Sequence, residues 1–321
     1  MDLLGNVLLS TKVLANSIGI FEFGGEWGFS LNEAAPDFAC SLTILEGRCW
    51  FKAEGHEGVW LSAGDTAIIV RGTPHSMASS PRAPIGPLLD LLAPHGADRF
   101  GPSTRRDAPI HIRSGDGETH TRMLSLAYFL REPEQNPVLS ELPSSFVLHK
   151  ETHAIFPWLT SISTYLAGAE CTQLPGYVAT ASHLADLLFT SFLRARITSH
   201  ASTASGWLRG LSDGRIGRVM SRLHADPLAK WTVADMAKEA NMARSTFARN
   251  FTKLLAQSPL DYLLGIRLGL ARDRMLSDRM PIAQLAELAG YQSERAFRTA
   301  FAQRYGASPR AYLAAHVSTT D

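Results

Sequence analysis

The stretch TVADMAKEANMARSTFARNF, residues 232–251, returns about fifty residues later as PIAQLAELAGYQSERAFRTAF, residues 281–301. Each copy reads as a short helix, a tight turn and a second helix. In the first copy Thr232 can cap through its hydroxyl. Met236 and Ala240 are expected to face inward, and Ala237 is small where a second helix must cross closely. Leu285, Ala289 and Ala286 repeat those roles. The turn needs a residue that tolerates positive φ. Gly290 supplies it in one copy and Asn241, the next most tolerant type, in the other. Phe247 and Phe251 anchor one second helix, Phe297 and Phe301 the other, and each copy closes on Ser-Pro followed by Tyr262 or Tyr312. The offset is 49 residues through the first helix and 50 from the phenylalanines onward, so the second copy has one extra residue in its turn.

A helix pair crossing through a small residue and a glycine-like turn is a helix-turn-helix, whose second helix enters the DNA major groove. The charge distribution points the same way. Residues 1–206 hold 14 Lys+Arg against 20 Asp+Glu, a net of −6, whereas residues 207–321 hold 17 against 10, a net of +7. A basic half joined to an acidic one is expected where only one half meets a polyanion. Helical geometry with the phenylalanines inward turns Arg244, Ser245, Arg249 and Lys253 outward in the first copy. In the second it exposes Arg295, Arg298, Thr299 and Arg304. Ser245, Arg249, Arg295 and Arg298 are the expected base contacts, since Arg reads guanine through O6 and N7. Arg244, Lys253 and Arg304 are expected on phosphates. A helix from Pro259 to Leu276 would bridge the copies over about 27 Å, close to the ~34 Å between successive major grooves on one DNA face.

WTVADMAKEANMARSTFARNFTKLLAQSPLDYLLGIRLGLARDRML followed by PIAQLAELAGYQSERAFRTAFAQRYGASPRAYL resembles the DNA-binding domain of the AraC/XylS transcriptional regulators. GWLRGLSDGRIGRVMSRLHADP, just upstream, is similar to the lead-in of the family's cupin-bearing subgroup. The resemblance covers roughly residues 206–313. It implies two helix-turn-helix units, one bridging helix, double-stranded promoter DNA at asymmetric sites, and RNA polymerase as a further partner. Two departures stand out. Ala256 takes the place of the glycine expected after the first recognition helix, which leaves either a different helix end or about 1 kcal/mol of strain. Gly265 and Gly269 lie inside the bridge, each costing ~1 kcal/mol relative to alanine, and predict a softer helix.

Upstream, residues 20–130 read as short strands broken by Gly, Asp and Pro. In LSAGDTAIIVRGTPHSM, residues 61–77, Gly64-Asp65 turns, four apolar residues cross, and Gly72-Thr73-Pro74 turns again to place His75 at a strand start. This resembles the second cupin motif. Metal-dependent cupins also need His-x-His, which occurs nowhere in the chain. PHGADRFGPSTRRDAP reads as a polar loop, THTRMLSLAYFL as a strand and NPVLSELPSSF as a turn-bounded excursion. After residue 153 the texture becomes helical. Leu184, Leu187, Leu188 and Phe192 lie along one stripe, of which Leu184, Leu188 and Phe192 either line a dimer seam or cover the barrel. TSHASTASG, residues 198–206, is the expected boundary. The fold expected is therefore a two-domain α+β chain. A cupin-like β-barrel with trailing helices occupies 1–200, and an all-α domain of two helix-turn-helix units joined by a long helix occupies 207–321.

A small barrel can enclose one ligand, and Trp27, Trp50 and His75 are candidates for an effector-binding wall or for ordinary core. The paired His149 and His153 have helical spacing without a third ligand, so no metal and no cofactor are expected. Cys40, Cys49 and Cys171 are scattered, which fits a reducing cytoplasm and provides no activated cluster for alkyl transfer. No apolar run reaches the ~20 residues of a membrane span, and the amino terminus lacks the pattern of a secretory leader. The expectation is a cytoplasmic, non-enzymatic regulator controlled by a small-molecule effector or by homodimerisation. The alternative is a metal-dependent cupin enzyme fused to a DNA-binding module, and a barrel that only dimerises stays open as well.

Overall fold

The computed structural model describes residues 5, 13–96, 108–116, 118–130, 136, 139, 141–150, 158–168, 172–199 and 206–317. Most of the loop after Pro94, Cys171, His153 and most of TSHASTASG lie outside the described residues. The chain divides into two compact units, one over Asn6–Ala201 and one over Ser202–Asp321 together with Met1–Gly5.

The first unit is built from strands β1 (Val13–Gly24), β2 (Gly28–Leu31), β3 (Phe38–Glu46), β4 (Arg48–Ala53), β5 (Val59–Ser62), β6 (Thr66–Ile69), β7 (His75–Ala78), β8 (Gly86–Pro87), β9 (Ile110–Ser114), β10 (Thr119–Leu130) and β11 (Ser145–Leu148). Among the described residues, helices α1 (Leu88–Leu92), α2 (Trp158–Leu166) and α3 (Tyr177–Ser199) and a 3-10 turn over Ala93–His95 accompany the strands. A six-stranded sheet runs β11-β6-β3-β10-β1-β9 and a five-stranded sheet β5-β4-β7-β2-β8. β10 pairs antiparallel with both β1 and β3, and β9 joins β1 in parallel.

The core lies between the two sheets. Phe21, Phe29, Phe38, Leu42, Ile44, Phe51, Leu61, Met77 and Met123 all bury there. This alternates as a sheet should, with every second residue of β3 (Phe38, Cys40, Leu42, Ile44) turned to the core. The intervening Ala39, Ser41 and Thr43 are buried too, on the far face. That face is covered by α3, whose Phe189 ring lies 4.7 Å from that of Tyr128. Its hydroxyls pair with one another, Ser41 with Tyr128 at 3.1 Å and Thr43 with Thr66 at 3.0 Å, as buried polar groups must.

The sheet-rich cupin-like region is present, but the barrel is open. Among the described residues no ladder joins the edges of the two sheets. They close on each other through packed side chains instead, with Phe21, Phe23, Trp27 and Phe29 in ring contact across the interior. In α3 the leucine stripe divides: Leu188 and Phe192 are fully buried, whereas Leu187 is 46% exposed. Sheet coverage therefore takes the first two, and only the outer edge of the stripe remains for a partner.

The second unit is all helix: α4 (Gly206–Ser212), α5 (Ile216–Ala225), α6 (Val233–Glu239), α7 (Arg244–Leu255), α8 (Pro259–Ser277), α9 (Ile282–Leu288), α10 (Glu294–Tyr305) and α11 (Pro309–Val317). Caps explain the boundaries. Thr232 accepts from the Asp235 N–H while the Asp235 carboxylate takes the Thr232 N–H, a reciprocal pair that satisfies two orphan donors. Ser258 caps α8 ahead of Pro259, and Ser293 caps α10. No helix among the described residues is long and apolar enough to cross a membrane.

Candidate nucleic-acid interface

The two turns are built alike. Asn241 has φ 52° and Gly290 φ 82°, the left-handed region. In each, the following residue satisfies a carbonyl inside the preceding helix: Met242 N–H donates to Ala237, Tyr291 N–H to Ala286, both at 2.9 Å. The crossings are apolar, with Met236, Ala237, Ala240, Leu285, Ala286 and Ala289 buried. Phe247 and Phe251 stand 5.5 Å apart, Phe297 and Phe301 5.7 Å. Tyr262 and Tyr312 each meet the second phenylalanine edge-on.

This inward packing leaves one face of each second helix in solvent. Arg244, Ser245, Arg249 and Lys253 on α7 are exposed, as are Arg295, Arg298, Thr299 and Arg304 on α10. Their surroundings differ. The Arg298 guanidinium donates to Glu294 at 2.7 Å, an ion pair one turn apart. The Thr299 hydroxyl donates to the Arg295 carbonyl at 3.0 Å. Arg304 matches Leu254 of the first copy, at the 50-residue offset, rather than an outward residue. Its Nη1 passes 3.2 Å from where a Cβ on Gly265 of α8 would stand. A side chain expected on phosphate thus also lies along the bridging helix.

A polar cluster behind α7 was not legible in the sequence. The Trp207 indole of α4 donates to the Tyr262 hydroxyl of α8 at 2.8 Å, and His224 Nε2 of α5 lies 2.8 Å from the same oxygen. With the indole donating in, the hydroxyl keeps a proton that Nε2 can accept while the imidazole is neutral. Burial holds the His224 pKa down to about 4. The lead-in helices are thereby pinned to the bridge beneath the first reading head. Arg267 was also missed. Its Nε and Nη2 donate to the Pro227 and Ala229 carbonyls at 2.7 and 2.9 Å.

The three effector candidates of the first unit do not share one wall. Trp27 is buried and stacked on Phe23, ring centroids 4.2 Å apart. His75 is buried, its Nδ1–H given to the Thr73 carbonyl at 2.9 Å, with Cys40 Sγ 3.9 Å from Nε2. Burial pushes the His75 pKa down and that of Cys40 up to about 12. His75 pairs with Ala53, three residues from Trp50 on β4, so the two side chains take opposite faces of the five-stranded sheet. Trp50 is on the outer face, its ring 5.6 Å from that of Trp60, over which Arg48 lies at 4.8 Å. His149 is 3.5 Å from Asp65. Among the described residues no group of three or more His, Cys, Asp or Glu is placed to hold a metal.

Residues 2–198 match the family described as cupin, and residues 236–315 the one described as a helix-turn-helix domain. An AraC-like transcription regulator of Streptomyces lividans is 29% identical over 317 residues, 97% of this chain and 98% of that protein. The HTH-type transcriptional regulator AlkR of Acinetobacter baylyi is 27% identical, with 90% and 91% covered. The DNA-binding domain of AdpA, solved in complex with a target DNA, is 28% identical over 32% of this chain and 94% of its own, with a TM-score of 0.30. A cupin region followed by a double helix-turn-helix defines a class of DNA-binding regulator. The chain belongs to the AraC-like family of transcription regulators.

Proposed function

We propose that this chain binds double-stranded promoter DNA through both helix-turn-helix units at once, on an asymmetric bipartite site. The observation that carries this is the unlike chemistry of two equivalent surfaces. Where α7 offers Ser245, Ala248 and Arg249, α10 offers Arg295, Arg298 and Thr299. A palindrome would need matching faces. At 19 residues, α8 spans about 28 Å, which suits successive major grooves approached by helices projecting from its ends. Ser245, Arg249, Arg295 and Arg298 contact bases in this reading, while Arg244, Lys253 and Arg304 hold phosphates. The chain works in the cytoplasm without catalysis and meets RNA polymerase at the promoter.

The cupin region is the control element, acting through a small-molecule effector or through homodimerisation. Either acts by favouring one docking state of the two domains over another. Trp27 and His75 line the inner layer of such a sensor and Trp50 its outer face. Footprinting of the full chain on genomic fragments tests the DNA reading. Protection of two unlike boxes in successive major grooves on one DNA face is expected; a palindromic footprint, or none, overturns it. A thermal-shift screen of metabolites tests the sensor. A ligand that raises the melting temperature supports an effector, and no shift leaves dimerisation as the control.

A further inference from the structure

Arg267 occupies the middle of α8 and is half-buried. Its two hydrogen bonds go to the connector between α5 and α6, and that connector is closed on itself. The Trp231 N–H donates to the Ala229 carbonyl at 2.8 Å, and its indole N–H to the Asp226 carbonyl at 2.9 Å. The next residue is Thr232, the cap of α6. On the other edge of the guanidinium, Nη1 stands 2.8 Å from the place a Cβ on Gly290 would take. Gly290 is the turn of the second helix-turn-helix. One planar side chain therefore grips the entry of the first reading unit and fills the space left by the turn of the second, while its backbone belongs to the helix joining them.

A single helix fixes the distance between two units packed on it but leaves each able to roll about its axis. A third point of contact removes that freedom. We propose that Arg267 is a positioning residue that sets the rotational phase between the two recognition helices, and so the base-pair spacing tolerated between the two halves of the site. This rests on the bipartite reading above. Arginine is needed because its fork places separate N–H groups on two carbonyls at once, which a lysine ammonium on a flexible stem does not hold in plane. Glycine opposite it leaves the guanidinium its room, since any Cβ there would stand 2.8 Å from Nη1. Arg267 acts from inside the protein, without touching DNA.

The test uses the full chain. Selection from random duplexes with wild-type protein yields the bipartite site, and binding is then measured on versions with one base pair added or removed between the halves. One base pair turns the second box by about 35° about the DNA axis. Wild type is expected to lose on the order of tenfold in affinity for that change, comparable to one mismatched contact. In Arg267→Met and Arg267→Lys the spacing penalty is expected to shrink to about threefold or less, with base preference inside each half unchanged. A folded Arg267→Met that keeps the full penalty overturns the proposal, as does a uniform loss of affinity at every spacing. If Arg267→Met lacks a cooperative melt, Gly290→Asn carries the test. Asparagine tolerates the turn's positive φ, and its Cβ would stand 2.8 Å from Nη1, so the guanidinium must shift. The same broadened spacing is expected there, and an unchanged penalty overturns the proposal. A wild type that selects no bipartite site overturns the two-box reading itself, and the strut with it.

Discussion

Ala256 and Gly306 end equivalent helices in the same left-handed conformation, with φ 55° and 71°. Each donates its N–H to the carbonyl four residues back, Thr252 and Ala302, at 2.9 Å. The sequence left open whether Ala256 would end its helix differently. It ends it the same way and bears the cost of a Cβ in that region. Ala256→Gly is therefore expected to stabilise the DNA-binding unit by about 1 kcal/mol, read as a higher urea midpoint at unchanged slope. His224 gives the second expectation at this scale. Its folded pKa of about 4 lies below the ordinary 6.5, so the unfolded chain binds the proton more readily. The stability this contributes is complete above about pH 6.5 and is lost as pH falls towards 4. Between pH 7.5 and 5 the loss is roughly 1–2 kcal/mol, allowing for the partial exposure of the ring. His224→Gln, which still accepts from Tyr262, should flatten the pH dependence of the melting temperature over that interval. A profile as steep as wild type would mean that His224 is not the titrating group.

The bridging helix α8 shows how an element resists a purely local reading. Two internal glycines predict a soft helix, yet they have different neighbours. A Cβ at Gly269 meets nothing within 4 Å, whereas one at Gly265 comes 3.2 Å from Arg304. Gly269→Ala should raise stability by up to ~1 kcal/mol through helix propensity. Gly265→Ala should gain less, because Arg304 must shift, and it alone should change DNA affinity. Calorimetry of the two single variants with a binding titration of each separates the cases; equal behaviour would show that Arg304 gives way freely. The helices themselves were legible because their determinants are local: Thr232, Ser258 and Ser293 cap within three residues, and the phenylalanines recur one turn apart. Strand pairing was not. β9 joins β1 across about ninety residues, and nothing near either segment announces it. The face taken by Trp50 followed from register with β7, which spacing alone does not supply. Arg267 was missed, and so was the lie of Arg304 along the bridge, for a related reason. An arginine on a helix face reads as solvated until the glycine opposite it is known, and Gly290 and Gly265 were read as turn and flaw instead.

Across the whole chain the charges are segregated, −6 in residues 1–206 and +7 in residues 207–321. The basic face belongs to the unit that meets DNA, so association should be steered by that unit and weaken with salt. Each phosphate neutralised releases condensed counterion, and the slope of log affinity against log salt counts such contacts at roughly 0.9 each. This separates the two kinds of outward residue that geometry alone leaves together. Arg244→Ala and Lys253→Ala should each lower the slope by about one and weaken all sequences alike. Arg295→Ala and Arg298→Ala should cost ~1–3 kcal/mol on the preferred site and relax the base preference at one position. Arg298 carries a handicap the others lack, since leaving Glu294 must accompany any contact with a base. Its loss should therefore fall at the lower end of that range, and Glu294→Gln should raise affinity in the presence of Arg298 but not in Arg298→Ala. Binding isotherms of the single and double variants at three salt concentrations decide the matter. An Arg298→Ala variant with a reduced slope and intact base preference would move that residue to the phosphates, leaving Arg295 as the guanine reader of the second box.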